Sequence, residues 1–147
     1  HLQMFIVQNI CSHHSLDNAL KINPKTFEWL GNEVSCGVGM QRIDIMFSQK
    51  NDDIDREIVP IELKATSANI DNVRQLSRYI DWIEQYYISN RPSTIRPVLI
   101  CKASRLRKVT KQAFHNFNAQ ANGRYLPLEY IEYTDNGRDL IFTKTQY

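Results

Sequence analysis

The chain has 147 residues, 42% of them hydrophobic and 23% charged, a composition typical of one globular domain spanning residues 1–147. Lys and Arg number 18 against 16 Asp and Glu, and the net charge of +2 neither requires nor excludes nucleic acid as a partner. No apolar run approaches the ~18 residues of a membrane span. Three widely spaced cysteines predict reduced thiols and a cytoplasmic location. Because the chain begins with His1 rather than Met, we also consider it as the C-terminal part of a longer protein.

The first thirty residues give few regular signals. Residues 2–10 are apolar-rich and predict the end of a helix, whereas residues 11–18 are polar and predict a loop. The run Cys11-Ser12-His13-His14 has no second ligand pair nearby, so a polar turn is favoured over a soft-metal site. Phe27, Trp29 and Leu30 predict a short turn or helix that ends at Gly31.

A three-strand meander is predicted next, made of a short, glycine-broken stretch over residues 33–40 and two longer strands after it. In residues 41–47 Ile43, Ile45 and Phe47 alternate with Arg42, Asp44 and Met46, as on the two faces of a strand. Residues 48–56 are polar and predict a hairpin loop. Residues 58–65 form the second strand, with Glu62 and Lys64 on one face and Val59, Ile61 and Leu63 on the other. Pro60 donates no backbone hydrogen bond, so it belongs near the start of this strand or on an unpaired side.

Residues 69–87 have helical periodicity. An apolar stripe predicts the buried face: Val73, Leu76, Ile80, Ile83 and Tyr87. A second stripe, Gln75, Tyr79, Trp82 and Tyr86, lies beside it. This second stripe either widens the core contact or serves a site, and both interpretations stay open for the two outer aromatics.

The last third of the chain alternates strands and one helix. Residues 96–101 predict a strand buried on both faces, and a helix follows from about residue 104 with Leu106, Val109, Ala113 and Phe117 inward. Strands over 126–133 and 140–144 are joined through Asp135-Asn136-Gly137, a strong hairpin signal. The predicted fold is α/β, a mixed central sheet flanked by helices.

Asp44, Glu62 and Lys64 interrupt these apolar strand patterns with charge. Two carboxylates on neighbouring strands repel each other unless a cation lies between them, and Mg²⁺ is bound by such oxygens together with waters. A lysine on the same face can orient an attacking water or stabilise charge on a phosphate. The alternative is an ion pair between Asp44 and Lys64 on a solvated sheet face.

An aspartate on one strand, Glu62-Leu63-Lys64 on the next and Gln75-x-x-x-Tyr79 on the following helix resemble the PD-(D/E)xK nuclease superfamily. The segments RIDI, VPIELKA and QLSRY, followed by Trp82, look most like the NucS/EndoMS-type nuclease domain and more loosely like RecB-like nucleases. The literal Pro-Asp is absent, since Arg42-Ile43-Asp44 stands in its place. The resemblance covers roughly residues 27 to 102. It implies a restriction endonuclease-like core and Mg²⁺-dependent cleavage of DNA, in which Mn²⁺ can substitute.

The resemblance also implies roles for individual residues. Asp44, Glu62 and the backbone carbonyl of Leu63 would bind the metal, and Lys64 would be the catalytic lysine. Gln75 and Tyr79 would be accessory residues near the scissile phosphate. An additional upstream acid is common in the superfamily, and Glu33 is preferred over Glu28 for that position.

A basic segment lies on the helix predicted from about residue 104 and the turn before it. It contains Lys102, Arg105, Arg107, Lys108 and Lys111 and no acid, which favours contact with the DNA backbone over a solvated helix face. Arg78 is a further DNA-binding candidate. The predicted activity is that of an endodeoxyribonuclease of restriction or repair type, and its expected partner is DNA. We also expect the chain to form a homodimer and to follow an N-terminal DNA-recognition domain. The alternative is a DNA-binding or assembly module that keeps the nuclease fold without cleaving.

Overall fold

The computed structural model describes residues 1–36, 42–50, 56–88 and 93–147. In these ranges seven strands form one mixed sheet, and the predicted α/β fold is confirmed. The helices are α1 Leu2–Asn9, α2 His14–Leu20, α3 Ile70–Trp82 and α4 Lys108–Ala119, with a π-helical turn at Ile83–Tyr87. The strands are β1 Glu28–Ser35, β2 Arg42–Lys50, β3 Arg56–Lys64, β4 Ser93–Ile95, β5 Val98–Lys102, β6 Glu129–Asp135 and β7 Leu140–Lys144.

The connections of the sheet determine which strand ends meet. The order is β1-β2-β3-β5-β6-β7, and β4 also pairs with β3. β1, β2 and β3 are antiparallel neighbours, whereas β3, β5 and β6 run parallel. α3 and α4 connect these parallel strands, so both helices begin at the edge where β3, β5 and β6 end. We call this edge the carboxyl edge.

Apolar side chains cover both faces of the sheet. One buried cluster includes Leu76 and Ile80 of α3 and Phe114 of α4. The other includes Ile6 of α1 and Leu16 of α2. The predicted apolar stripe of α3 lies in the first cluster, because residues three and four apart share one helix face.

β3 lies inside the sheet, and Pro60 is accommodated without losing a paired donor. The carbonyl of Ile58 accepts from Arg96 on the side of β4 and β5, so the Pro60 nitrogen, two residues on, faces the same side. β4 pairs with β3 only as far as Ile58, and β5 pairs with it only from Ile61 onward. Pro60 therefore falls at the break between the two strands, as the prediction of an unpaired side required.

Two of the predicted N-terminal elements were wrong. Residues 14–20 form α2 rather than a loop, because His13 caps the helix through a hydrogen bond from the Leu16 N–H and Leu16, Ala19 and Leu20 are buried. The polar residues of this segment hid an apolar spacing of three and four. Strand β1 begins at Glu28, where a turn or helix ending at Gly31 was predicted, because residues 28–35 pair along β2 with a bulge at Leu30. The strand predicted from residue 33 coincides with the end of β1.

Smaller departures have local causes. Ile43 packs with Met46 rather than with Ile45, since β2 leaves β3 at that point and its side chains no longer alternate regularly. The strand predicted over 96–101 is β5, which begins at Val98, and a separate short strand, β4, ends at Ile95 just before Arg96 and Pro97. Val109 is 52% exposed, and Thr110, Phe114 and Phe117 form the inward face of α4. Most of the loop predicted over 48–56, and Gly37 and Gly39, lie outside the described residues.

A buried ion cluster closes the edge opposite the carboxyl edge. Arg96, 4% exposed, donates to both carboxylate oxygens of Glu57 at 3.0–3.2 Å and to Glu129 at 2.7 Å. It also donates to the Leu20 carbonyl at 2.9 Å. The cluster thus joins α2 to three strand ends. No helix in the described ranges is long and apolar enough to cross a membrane.

Candidate active site

The site begins where β2 and β3 separate. The last backbone pair between them is Ile45 with Ile61. Beyond it, the Asp44 side chain takes the place of a β2 backbone acceptor for β3. Its Oδ2 accepts from the Leu63 N–H at 2.8 Å. Since the N–H and C=O of one strand residue point to the same side, the Leu63 carbonyl also faces Asp44. Gln3 of α1 donates to the Asp44 carbonyl at 3.1 Å, a contact that no local sequence signal could reveal.

Glu62 is held from the other side by α3. Its side chain lies on the α3 face of β3, where the Tyr79 hydroxyl donates to Oε2 at 2.6 Å. The same hydroxyl lies 2.7 Å from the Arg42 carbonyl oxygen. Tyr79 is 1% exposed, so its hydroxyl fixes the orientation of Glu62 and does not reach a surface where DNA could lie. The predicted accessory tyrosine is thus placed behind the acid.

The two carboxylates are electrostatically unfavourable neighbours. Burial, and then the Asp44 charge, raise the pKa of Glu62 to about 8, although Tyr79 and Lys64 oppose the shift. Burial also raises the pKa of Asp44, against the effect of the hydrogen bond from Leu63. The structure therefore brings together two acids whose shared negative charge a bound cation would stabilise.

Lys64 is the third predicted member and lies at the end of β3. Its side chain is half-buried on the same face as Glu62, where its charge lowers the pKa of that acid. Within the described residues Lys64 forms no ion pair, so the alternative of an Asp44–Lys64 surface pair is not observed. The Lys64 amine therefore lies at the carboxyl edge with no acidic partner among the described residues.

The two upstream acids lie at different ends of β1. Asn32 pairs with Ile45 and Val34 with Ile43, which places Glu33 opposite Asp44, and the charge of Glu33 raises the pKa of Asp44. Glu33 has φ 52° and lies 3.8 Å from Arg42 in an exposed ion pair.

Glu28 lies at the other end of that strand. It pairs with Ser48 and forms an ion pair with Arg56, remote from Asp44. The geometry favours Glu33 as an additional acid of the site.

The donor set suits a hard cation that retains water. The Leu63 N–H holds Oδ2 of Asp44 and the Tyr79 hydroxyl holds Oε2 of Glu62, and a hydrogen bond between the two carboxyl groups also affects the pKa of each. The described ranges contain no group of three or more His, Cys, Asp or Glu side chains arranged around a metal position. Two carboxylates and a carbonyl fit Mg²⁺, which is commonly held by one or two carboxylates with waters, better than a softer ion.

The residues of the second stripe of α3 differ in their burial and in their contacts. Gln75 is half-buried and accepts from Arg78, which is exposed, at 3.4 Å. Trp82 packs on the core cluster, so for this residue the interpretation as core contact is correct. Tyr86 is 66% exposed and lies in the π-helical turn.

The basic segment lies on the carboxyl edge, beside the acids. Lys64 pairs with Cys101 across β3 and β5, and the Lys102 N–H donates to the Thr66 carbonyl at 3.1 Å. The five predicted DNA-binding residues of the segment are all exposed, namely Lys102, Arg105, Arg107, Lys108 and Lys111. α4 begins at Lys108 rather than near residue 104, so Arg105 and Arg107 lie in the preceding turn.

Comparison with known proteins finds a matching family and similar solved structures. Residues 18–124 match the family described as endonuclease NucS C-terminal domain. The solved structure titled "Structure of EndoMS-dsDNA2 complex" is 21% identical with a TM-score of 0.50, over 81% of this chain and 44% of that one. A second, titled "crystal structure of a repair endonuclease from Pyrococcus abyssi", is 24% identical with a TM-score of 0.49, over 82% of this chain and 46% of that one. The chain thus spans less than half of these solved chains. No curated protein sequence matches it.

Proposed function

The chain belongs to the family of endonuclease NucS C-terminal domains, and we propose that it is the cleaving domain of a Mg²⁺-dependent DNA-repair endonuclease of the PD-(D/E)xK superfamily. The observation that carries the proposal is the pair of carboxylates, Asp44 and Glu62, gathered beside Lys64 at the end of β3. Such a constellation is costly to fold without a cation to bind, since like charges and burial both oppose its ionisation.

Each side chain has a distinct task in the proposed reaction. Asp44 Oδ1, Glu62 Oε1 and the Leu63 carbonyl would hold Mg²⁺, or Mn²⁺ in its place, with Glu33 as a further acid nearby. The ion supplies Lewis acidity toward the phosphate and lowers the pKa of a water. Lys64 orients the attacking water and stabilises the charge that develops on the phosphate.

The supporting contacts keep the acids in place during this chemistry. The Leu63 N–H holds one oxygen of Asp44, and the Tyr79 hydroxyl holds one oxygen of Glu62. These contacts hold the two carboxyl groups next to each other, as metal sites generally require of their ligands. Tyr79 acts as a positioning residue, and Gln75 is proposed as the accessory residue nearer the surface.

The basic segment and Arg78 would neutralise the DNA backbone. The five cations of the segment lie on the carboxyl edge, so a duplex laid along this edge would meet the proposed site and the segment together. Phosphate contacts do not select a sequence. Recognition of the DNA to be cut is therefore proposed to come from loops, from a further domain or from DNA shape, and cutting of both strands from a homodimer.

Cleavage of supercoiled plasmid DNA in Mg²⁺ tests the proposal. We expect the native chain to nick the plasmid, and Asp44→Asn and Lys64→Ala to lose the activity while still binding DNA. Lys50→Ala is the matched control, because Lys50 is an exposed lysine at the opposite end of the strands and should cut normally. Equal cutting by native chain and both site variants would refute it. DNA binding with no cutting would favour a non-cleaving module.

A further inference from the structure

The acidic side chain of Glu132 lies among the residues that lead into the basic segment. Glu132 is on β6 and pairs with Cys101 of β5, one step before Lys102. Its Oε2 accepts from the Ser104 backbone N–H at 3.2 Å and from the Tyr130 hydroxyl at 2.9 Å. Its Oε1 lies 3.5 Å from the Thr145 hydroxyl.

These bonds complete a row of backbone contacts that fixes the path of the chain after β5. The N–H of Lys102 donates to Thr66, and the N–H of Ala103 donates to the Tyr133 carbonyl at 2.9 Å. The Ser104 N–H has a side chain, Glu132, as its acceptor. Beyond Ser104 the chain turns into α4, so this contact determines where the turn carrying two arginines begins.

The negative charge of Glu132, beside the basic segment, would by itself oppose DNA binding. A carboxylate next to a phosphate-binding segment repels the DNA backbone and weakens binding. In the described part of the chain Glu132 forms no ion pair with a lysine or arginine, so its charge is not cancelled by a direct partner. What it supplies instead is a hydrogen-bond acceptor for a backbone N–H.

We propose that Glu132 is a positioning residue that holds the basic segment in the geometry needed to bind the phosphates of duplex DNA. The inference rests on the proposed function, because it concerns how that site acquires its substrate. Glu132 acts through the Ser104 backbone and the following Arg105, and does not itself touch DNA. Its acceptor oxygen matters, and its negative charge does not.

Fluorescence anisotropy with a labelled duplex, without divalent ions so that nothing is cut, separates acceptor from charge. We expect Glu132→Ala to bind less tightly and to lower the slope of log K against log salt by about 1, as for one lost phosphate contact. We expect Glu132→Gln, which keeps an acceptor oxygen, to bind as tightly as the native chain or more tightly. Arg105→Ala should weaken binding similarly, and adding Glu132→Ala to it should have little further effect.

Two further variants protect the test. Asp135→Asn removes an exposed negative charge from the same strand, keeps the acceptor oxygen that the Gly137 N–H uses, and reports the gain in affinity from charge alone. Tyr130→Phe keeps the packing of a fully buried ring but removes one hydrogen bond that orients the Glu132 carboxylate, so it should weaken binding in the same direction, by a smaller amount, even if Glu132→Ala fails to fold. Melting temperatures identify any unfolded variant.

The outcomes are separable from those of the proposed function. Tighter binding by both Glu132 variants would show a merely repulsive charge and overturn the inference, as would native affinity and salt slope in Glu132→Ala. In either case the native chain still binds and cuts DNA, and the proposed function stands. No binding of DNA by the native chain would overturn both.

Discussion

Replacing Arg96 with alanine should destabilise the protein strongly, although the residue is remote from the candidate site. Arg96 donates to Glu57 and Glu129, which are 5% and 8% exposed, and to the Leu20 carbonyl. Removing the guanidinium leaves two buried acids facing each other across the space it occupied. It also leaves a helix carbonyl without its donor.

The magnitude follows from which partners remain. Glu129 keeps Lys21 at 2.9 Å and Lys144 at 3.3 Å, so part of its charge stays compensated. Within the described residues, the Glu57 carboxylate keeps only the Gln49 side-chain amide, at 2.9 Å. Breaking a buried pair in this way costs about 3–5 kcal/mol. At roughly 2–4 °C per kcal/mol for a chain of this size, the melting temperature should fall by about 6–20 °C.

Urea unfolding followed by circular dichroism measures this loss. Arg124→Ala is the matched control, because Arg124 also pairs with two acids, Asp81 and Glu84, but is 44% exposed and should cost at most about 1 kcal/mol. In the double variant with Glu57→Gln the loss should be smaller than in Arg96→Ala, since the uncompensated charge is gone. Equal, small losses for Arg96→Ala and Arg124→Ala would refute the reasoning.

Three further predictions concern the site and the opposite edge. Tyr79→Phe should weaken Mn²⁺ binding about 10- to 100-fold in calorimetry, as loss of a supporting hydrogen bond to the metal ligand Glu62 does, and unchanged binding would contradict its role. Glu33→Gln should reduce cleavage more than Glu28→Gln, measured as nicking rate, and the reverse order would exclude Glu33. Burial raises the pKa of Glu129, but Arg96 and two lysines together lower it by more than burial raises it, so the pKa lies below its usual value. Its contribution to stability is then present above about pH 4.5 and is lost as the pH falls through the folded-state pKa. As the pH is lowered, the free energy of unfolding of Glu129→Gln should therefore fall less than that of the native chain. The same pH dependence in both proteins would contradict this prediction.

Local patterns predicted the parts of the site that lie on regular elements. Alternation placed Glu62 and Lys64 on one face of β3, and helical spacing aligned Gln75 with Tyr79 on α3. Both patterns depend only on residues close in sequence. The buried position of Tyr79 was not evident, because a tyrosine on a second stripe is compatible with either the surface or the core.

The features that the sequence could not predict depend on contacts between residues far apart in the chain. Gln3 meets Asp44 across 41 positions, and Arg96 meets Glu57 across 39. The first half of β1 was predicted wrongly because its pairing along β2 overrides the weak local preference of Trp29 and Leu30. Glu132 carried no motif, and its link to Ser104 depends on the parallel pairing of β5 and β6.

The most direct test of the central claim is an anomalous-scattering map of crystals soaked in Mn²⁺. The account predicts a peak between Asp44 and Glu62, bonded to one oxygen of each and adjacent to the Leu63 carbonyl, that disappears in Asp44→Asn. A crystal that takes up Mn²⁺ only elsewhere, at concentrations that support DNA cleavage, would contradict it.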